Sequence, residues 1–167
     1  SGPDITLPTS GLLCTRTNYL RPGGYDTIKY RTSTLGRNMF GYTNGITDES
    51  EPVSLVLNGD NTVSVKLAKA LRTGGRDYDY FTIKVNSSPV ASIFPFNAYL
   101  FNWSEISTPE SKFILNRSAT DKLKFTLESK AFPGNFLGTG RWKNSNSEND
   151  DNLVFTSTKQ EFFFRVK

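Results

Sequence analysis

The chain has 167 residues, 20 Lys and Arg against 16 Asp and Glu, a formal net charge of +4 and 36% hydrophobic residues. That length holds one well-buried core and hardly two. No apolar run is long enough to span a bilayer, and a single cysteine, Cys14, excludes an internal disulfide.

Thirteen Phe, seven Tyr and two Trp offset the modest apolar share, because each ring buries a large area. Residues 1–9 have neither a basic start nor an apolar centre, so they do not read as a secretion signal. Ser1-Gly2-Pro3 has the look of a cloning remnant. Residues 1–9 are set aside as a flexible leader to one domain expected over 1–167.

From there the chain reads as short alternating runs broken by Gly, Pro, Asn, Asp and Ser. In order they are 12–18 (LLCTRTN), 26–34 (DTIKYRTST), 38–44 (NMFGYTN), 52–58 (PVSLVLN), 62–69 (TVSVKLAK) and 80–86 (YFTIKVN). The second half continues with 98–105 (AYLFNWSE), 112–118 (KFILNRS), 123–129 (LKFTLES), 136–142 (FLGTGRW), 153–158 (LVFTST) and 161–167 (EFFFRVK). Residues 64–72 have some helical content, but Val63, Val65 and Leu67 alternate with Ser64 and Lys66, a strand period. Asn58-Gly59 predicts a tight hairpin, since both residues tolerate positive φ. The Gly-Gly segments 21–26 and 72–77 read as equivalent loops. Residues 143–152 are too polar to bury anything and read as a loop. About twelve evenly spaced strands predict an all-β sandwich or barrel, with the β-trefoil one solution. A threefold repeat is not visible in the residues themselves.

Catalytic groups are scarce. There is no histidine to act as general base. Cys14 lies in a predicted strand with no base beside it and reads as a small buried residue. Asp77 and Asp79 read as solvated charge, as do Glu148, Asp150 and Asp151. No Cys/His set suggests zinc, and 146–152 lacks the Gly and terminal Glu of a calcium loop. No enzyme activity, metal or cofactor is expected. Nucleic acid is not expected either, because no basic run interleaves with aromatics. Three Asn-x-Ser sequons, at Asn86, Asn102 and Asn116, are near the chance count.

One stretch is more specific. FTLESKAFPGNFLGT, residues 125–139, resembles the C-terminal signature of interleukin-1 family cytokines. Ser129, Pro133, Phe136, Leu137 and Thr139 match. Leu127 and Gly138 depart, standing where that family favours Phe or Cys, and Ser, Cys or Ala. Residues 111–125 and the closing EFFFRVK are similar to the family's flanking strands, and LLCTRTN is similar to its first strand. The resemblance covers roughly 111–167 and 11–18. By itself the motif reads as a turn, with Phe132 and Phe136 as core rings on either side of Pro133-Gly134.

The resemblance implies a β-trefoil that is secreted, monomeric and not membrane-inserted, and that binds an immunoglobulin-type receptor of the interleukin-1 receptor kind. Carried to this chain, it places receptor contacts at Arg16, Thr17, Asn18 and Arg21, with further contacts at Lys143 and Lys159. The basic charge also suits sulfated glycans. The alternative is a carbohydrate-binding, lectin-like β-domain of a microbial or viral surface protein, with Tyr25, Tyr78, Tyr80 and Trp142 stacking on sugars. A heparin-binding growth factor is a third reading.

Overall fold

The alternating runs fold as strands because their apolar positions share one face of each extended segment. The computed structural model describes residues 8–16, 24–32, 38–73, 76–84, 96–102, 109–140 and 152–167. Residues 1–7 and 141–151 lie outside the described residues, and with them most of the leader expected over 1–9 and of the loop expected over 143–152, whose last residue, Asn152, opens a strand. The first unit holds β1 (Ser10–Arg16), β2 (Tyr25–Thr32), β3 (Asn38–Asn44) and β4 (Pro52–Leu57). The second holds β5 (Val63–Thr73), β6 (Arg76–Lys84), β7 (Phe96–Asn102) and β8 (Phe113–Arg117). The third holds β9 (Phe125–Ser129), β10 (Phe136–Gly140), β11 (Asn152–Thr156) and β12 (Phe162–Arg165). Residues 63–73 form a strand throughout, as their period-two pattern predicts.

The pairings close on themselves. β1 pairs with β4, β4 with β5, β5 with β8, β8 with β9, β9 with β12, and β12 with β1, all antiparallel. This six-strand circuit is a barrel without an open edge. The hairpins β2–β3, β6–β7 and β10–β11 stand on it and meet through β3–β7, β7–β11 and β11–β3. Each unit therefore repeats the same set of pairs, which makes the fold a β-trefoil. The two Gly-Gly segments fall in equivalent connections, β1–β2 and β5–β6, although Gly23, Gly74 and Gly75 lie outside the described residues.

Register shows what fills the barrel. Gly11 pairs with Val53, Val63 with Phe113, and Phe125 with Phe162. On the other edge of each of those partners, Val53 pairs with Leu67, Phe113 with Ser129, and Phe162 with Thr15. Alternation then stacks two layers. The middle one is Leu13, Val53, Val65, Phe113, Leu127 and Phe162, all buried. Below it come Gly11, Leu55, Val63, Leu115, Phe125 and Phe164. Residues at equivalent positions differ in size, and they fit only in combination. Gly11 is the smallest member of its layer because nothing larger fits. Its φ is +128°, and a Cβ there would stand 2.7 Å from the Arg165 carbonyl oxygen. From the hairpin cap, Phe155 stacks on Phe113 with centroids 5.6 Å apart and planes at 14°, and Leu137 and Leu153 join the same core.

The Pro-Gly corner joins β9 to β10 as its sequence suggests. The Phe132 N–H donates to Ser129 Oγ at 2.9 Å, and the Asn135 amide donates to the Phe132 carbonyl at 3.1 Å. Gly134 takes φ +86° and donates its N–H to Glu128 Oε2 at 3.0 Å. Phe136 is buried and Phe132 is half-buried against the core. The β4–β5 turn departs from the Asn58-Gly59 expectation. Asn58 N–H bonds to the Thr62 carbonyl, Asn61 N–H bonds to the Asn58 carbonyl, and the left-handed residue is Asn61, at φ 65°. That is a three-residue loop in which Asn61 tolerates the left-handed well.

Candidate functional site

Side-chain alternation sends Gly11, Leu13 and Thr15 of β1 into the barrel and Leu12, Cys14 and Arg16 to its outer wall. Leu12 and Cys14 are nevertheless fully buried. The β3–β4 connection folds beside them. Thr27 Oγ1, on the strand paired with Cys14, reaches the Gly45 carbonyl at 2.8 Å and the Ser50 hydroxyl. Lys167 Nζ donates to the Ser50 carbonyl at 2.8 Å. Burial pushes the Cys14 thiol up to about 11, and Arg165 opposes that weakly. Cys14 is thus a neutral packing residue, without the thiolate that reactivity requires.

Arg16 ends β1 in the open. Its cross-strand partner is Tyr25, so both side chains leave the same face. The Arg165 guanidinium lies 4.9 Å over the Tyr25 ring, and Arg16 is the cross-strand neighbour of that residue. Gln160, just ahead of β12, bridges β1 and β10. Its amide donates to Thr15 Oγ1 at 2.9 Å and to Thr139 Oγ1 at 3.2 Å, and its oxygen accepts the Thr139 N–H at 2.8 Å. Thr15 Oγ1 donates to the Glu161 carbonyl at 2.7 Å. Arg16, the next residue of β1, turns to the outer wall, and Lys159, just ahead of Gln160, is exposed. Glu161 is exposed as well.

Repeat symmetry explains the place of Lys159. Ser50 and Lys159 stand equally far ahead of the equivalent Val53 and Phe162. Thr27 and Phe136 are equivalent too, pairing with Cys14 and Glu128 respectively. In the first repeat this spot is closed by a hydroxyl pair. In the third, Lys159 Nζ lies 5.5 Å over the Phe136 ring.

Of the sequence-predicted contacts, Arg16 and Lys159 are exposed, Arg16 at the end of β1 and Lys159 ahead of β12. Thr17, Asn18, Arg21 and Lys143 lie outside the described residues. Of the sugar-stacking candidates, Tyr25 is half-buried under Arg165. Tyr78 and Tyr80 lie in β6 with side chains outside the described residues, and Trp142 is outside them entirely. Sequence reading missed Arg165, which only the β1–β12 pairing brings to Tyr25. Among the described residues no group of three His, Cys, Asp or Glu is placed to hold a metal, and no helix is long and apolar enough to cross a membrane. The calcium-loop candidate 146–152 lies outside them.

No protein-family model and no curated protein sequence matches the chain. Solved structures do match. A complex of lysenin with phosphocholine superposes with a TM-score of 0.61 at 11% identity, covering 95% of this chain and 44% of that one. A BEL beta-trefoil gives 0.54 at 16% identity, covering 98% of each. Trypsin inhibitor 1 from Senna obtusifolia gives 0.54 at 14% identity, covering 99% and 97%. The chain spans under half the length of the lysenin chain it matches. Likeness at these identities shows the fold alone, and that fold is β-trefoil-like.

Proposed function

We propose that this chain, a trefoil of about twelve strands, is a non-catalytic extracellular binding module that takes an acidic glycan at the Arg16–Tyr25–Arg165 patch. The observation that carries the reading is the convergence of those three side chains from β1, β2 and β12. A guanidinium fork matches a sulfate or carboxylate oxygen pair. The ring supplies an apolar face for a sugar, and Glu161 offers an acceptor for hydroxyls. The net charge of +4 favours encounter with an acidic ligand. The phosphocholine complex of lysenin is an instance of a protein with a similar fold holding a small phosphate-bearing ligand.

The test is a glycan array read at two salt concentrations. Sulfated or carboxylated sugars are expected to bind and their neutral counterparts to be lost. Arg165→Glu and Tyr25→Ala are each expected to weaken binding on the order of tenfold. Equal binding of neutral sugars, or no acidic glycan bound at all, removes the reading.

A second reading has its own support. The 129–136 corner folds as a turn with Phe136 inside, and Arg16 and Lys159 are both exposed. In that reading these residues contact an immunoglobulin-type receptor ectodomain of the interleukin-1 receptor kind. Binding to a panel of such ectodomains, lost on Arg16→Glu, would place the protein there.

A further inference from the structure

The end of the barrel opposite the hairpin cap carries an apolar feature that neither reading uses. One alternation step beyond the lower core layer, Leu57 extends the Val53-Leu55 series, Arg117 extends Phe113-Leu115, and Val166 extends Phe162-Phe164. Thr9, Asn61 and Leu123, two residues ahead of Gly11, Val63 and Phe125, lie in the segments that enter the barrel at this same end. These six positions ring the barrel mouth. Leu57, Leu123 and Val166 among them are 51%, 58% and 90% exposed. They come from separate segments, so they do not cover one another as a single turn would. The layer beneath, with Val63, Phe125 and Leu55, is already packed.

Each of two tips is bracketed by cations, as Lys122-Leu123-Lys124 and Arg165-Val166-Lys167. Arg165, in β12, faces the outer wall, and the other three cations flank their tips in the chain. Lys124 lies 6.0 Å over the Phe163 ring, Arg165 over Tyr25, and Lys167 against Ser50. Lys122 is exposed. The carboxylates of the two neighbouring turns are held by lysines. Asp121 has Lys124 at 3.9 Å, and Asp60 has Lys112 at 3.2 Å and Lys130 at 2.8 Å.

From this arrangement we infer that the barrel mouth docks on an anionic lipid surface, with Leu57, Leu123 and Val166 entering the acyl boundary and the cation collar at headgroup depth. Charge complementarity selects this occupant. Aliphatic tips followed by a ring of cations match a layer whose phosphates lie outside its hydrocarbon. A bilayer also accepts side chains at any lateral spacing, whereas a protein partner needs three matching pockets. The contact is superficial and involves no spanning segment.

The test is co-sedimentation with phosphatidylcholine vesicles, with and without phosphatidylserine. The wild-type chain is expected in the pellet with phosphatidylserine vesicles and in the supernatant without. Leu57→Ser/Leu123→Ser/Val166→Ser is expected to reduce partitioning on the order of tenfold or more. Lys122→Gln/Lys124→Gln is expected to reduce it about fivefold for each cation removed. Circular dichroism confirms that the variants fold. Failure of wild type to pellet, or pelleting unchanged by the aliphatic substitutions, overturns the proposal. So does a concentration-dependent dimer that the same substitutions abolish, since a second copy would then be the occupant. The glycan variants change Arg165 and Tyr25 and the lipid variants change Leu57, Leu123, Val166, Lys122 and Lys124, so the two proposals fail separately.

Discussion

Gly11 and Phe125 hold the same position in two repeats of the barrel, one paired with Val53 and the other with Phe162. The smallest and one of the largest side chains are interchangeable in topology and far from interchangeable in space. Phe164 Cδ1 lies 3.8 Å from where a Gly11 Cβ would stand, and the Arg165 carbonyl is closer still. Gly11→Ala is therefore expected to cost about 2 kcal/mol or more, from a strained φ and a backbone clash. Urea unfolding checks it, and an unchanged midpoint would mean β12 shifts aside freely.

Phe113 joins the barrel to its cap through the stack on Phe155. Phe113→Ala is expected to destabilise the fold by roughly 3–5 kcal/mol, the range for a buried ring removed from a closed site. Phe113→Leu is expected to cost less. Equal losses in the two variants would argue against ring stacking as the relevant contact.

Thr126 Oγ1 is buried and finds no hydrogen-bond partner. A desolvated hydroxyl without a partner opposes folding. Thr126→Val keeps the shape and is expected to leave stability unchanged or raise it by up to about 1 kcal/mol. A loss of stability would show that the hydroxyl is satisfied in solution, by water for instance.

Cys14 gives a pH signature. Its thiol titrates near 9.0 when unfolded and is pushed up to about 11 when folded. Between those values the unfolded state has released a proton that the native state keeps. Stability therefore falls as pH rises through that window, by about 1.4 kcal/mol per unit at most. Denaturation at pH 8, 9 and 10 in the wild-type chain and Cys14→Ala measures the difference. The thiol is also expected to resist alkylation until the protein unfolds.

Asp60 gives the opposite limb. Hydrogen bonds from Lys130 and Thr62, reinforced by Lys112, hold its carboxyl well below the usual carboxylate range. Its contribution is present above the ordinary value of 3.8 and is lost as pH falls below it. Asp60→Asn is expected to flatten that acid limb and to matter less at high salt, because the site is open to solvent. An acid limb identical to wild type would place the proton uptake on another carboxylate.

Strand positions were legible because period-two alternation is written locally. Val63, Val65 and Leu67 announce β5 without help from the rest of the chain. The threefold order was not legible, because symmetry resides in summed volume. Gly11, Val63 and Phe125 share one position, and Thr15, Leu67 and Ser129 share another. No residue-by-residue comparison finds them alike. The β4–β5 turn was misread for a related reason. Asn58-Gly59 is compatible with a two-residue turn, but the Asp60–Thr62 bonds at 3.2 Å and 2.5 Å favour the wider loop. Arg16 and Tyr25 were visible singly as exposed-type residues. Their meeting with Arg165 depends on barrel closure, which no local pattern encodes.

That closure sets the order of assembly. Leu12 pairs with Arg165, and Thr15 with Phe162. The first strand therefore lacks one neighbour until β12 has emerged from the ribosome. Until then the nascent chain presents an unpaired β1 edge lined by Leu12 and Leu13, open to mispairing with another copy. Folding that waits on such distant contacts is slow, and the interval is when a chaperone would matter most.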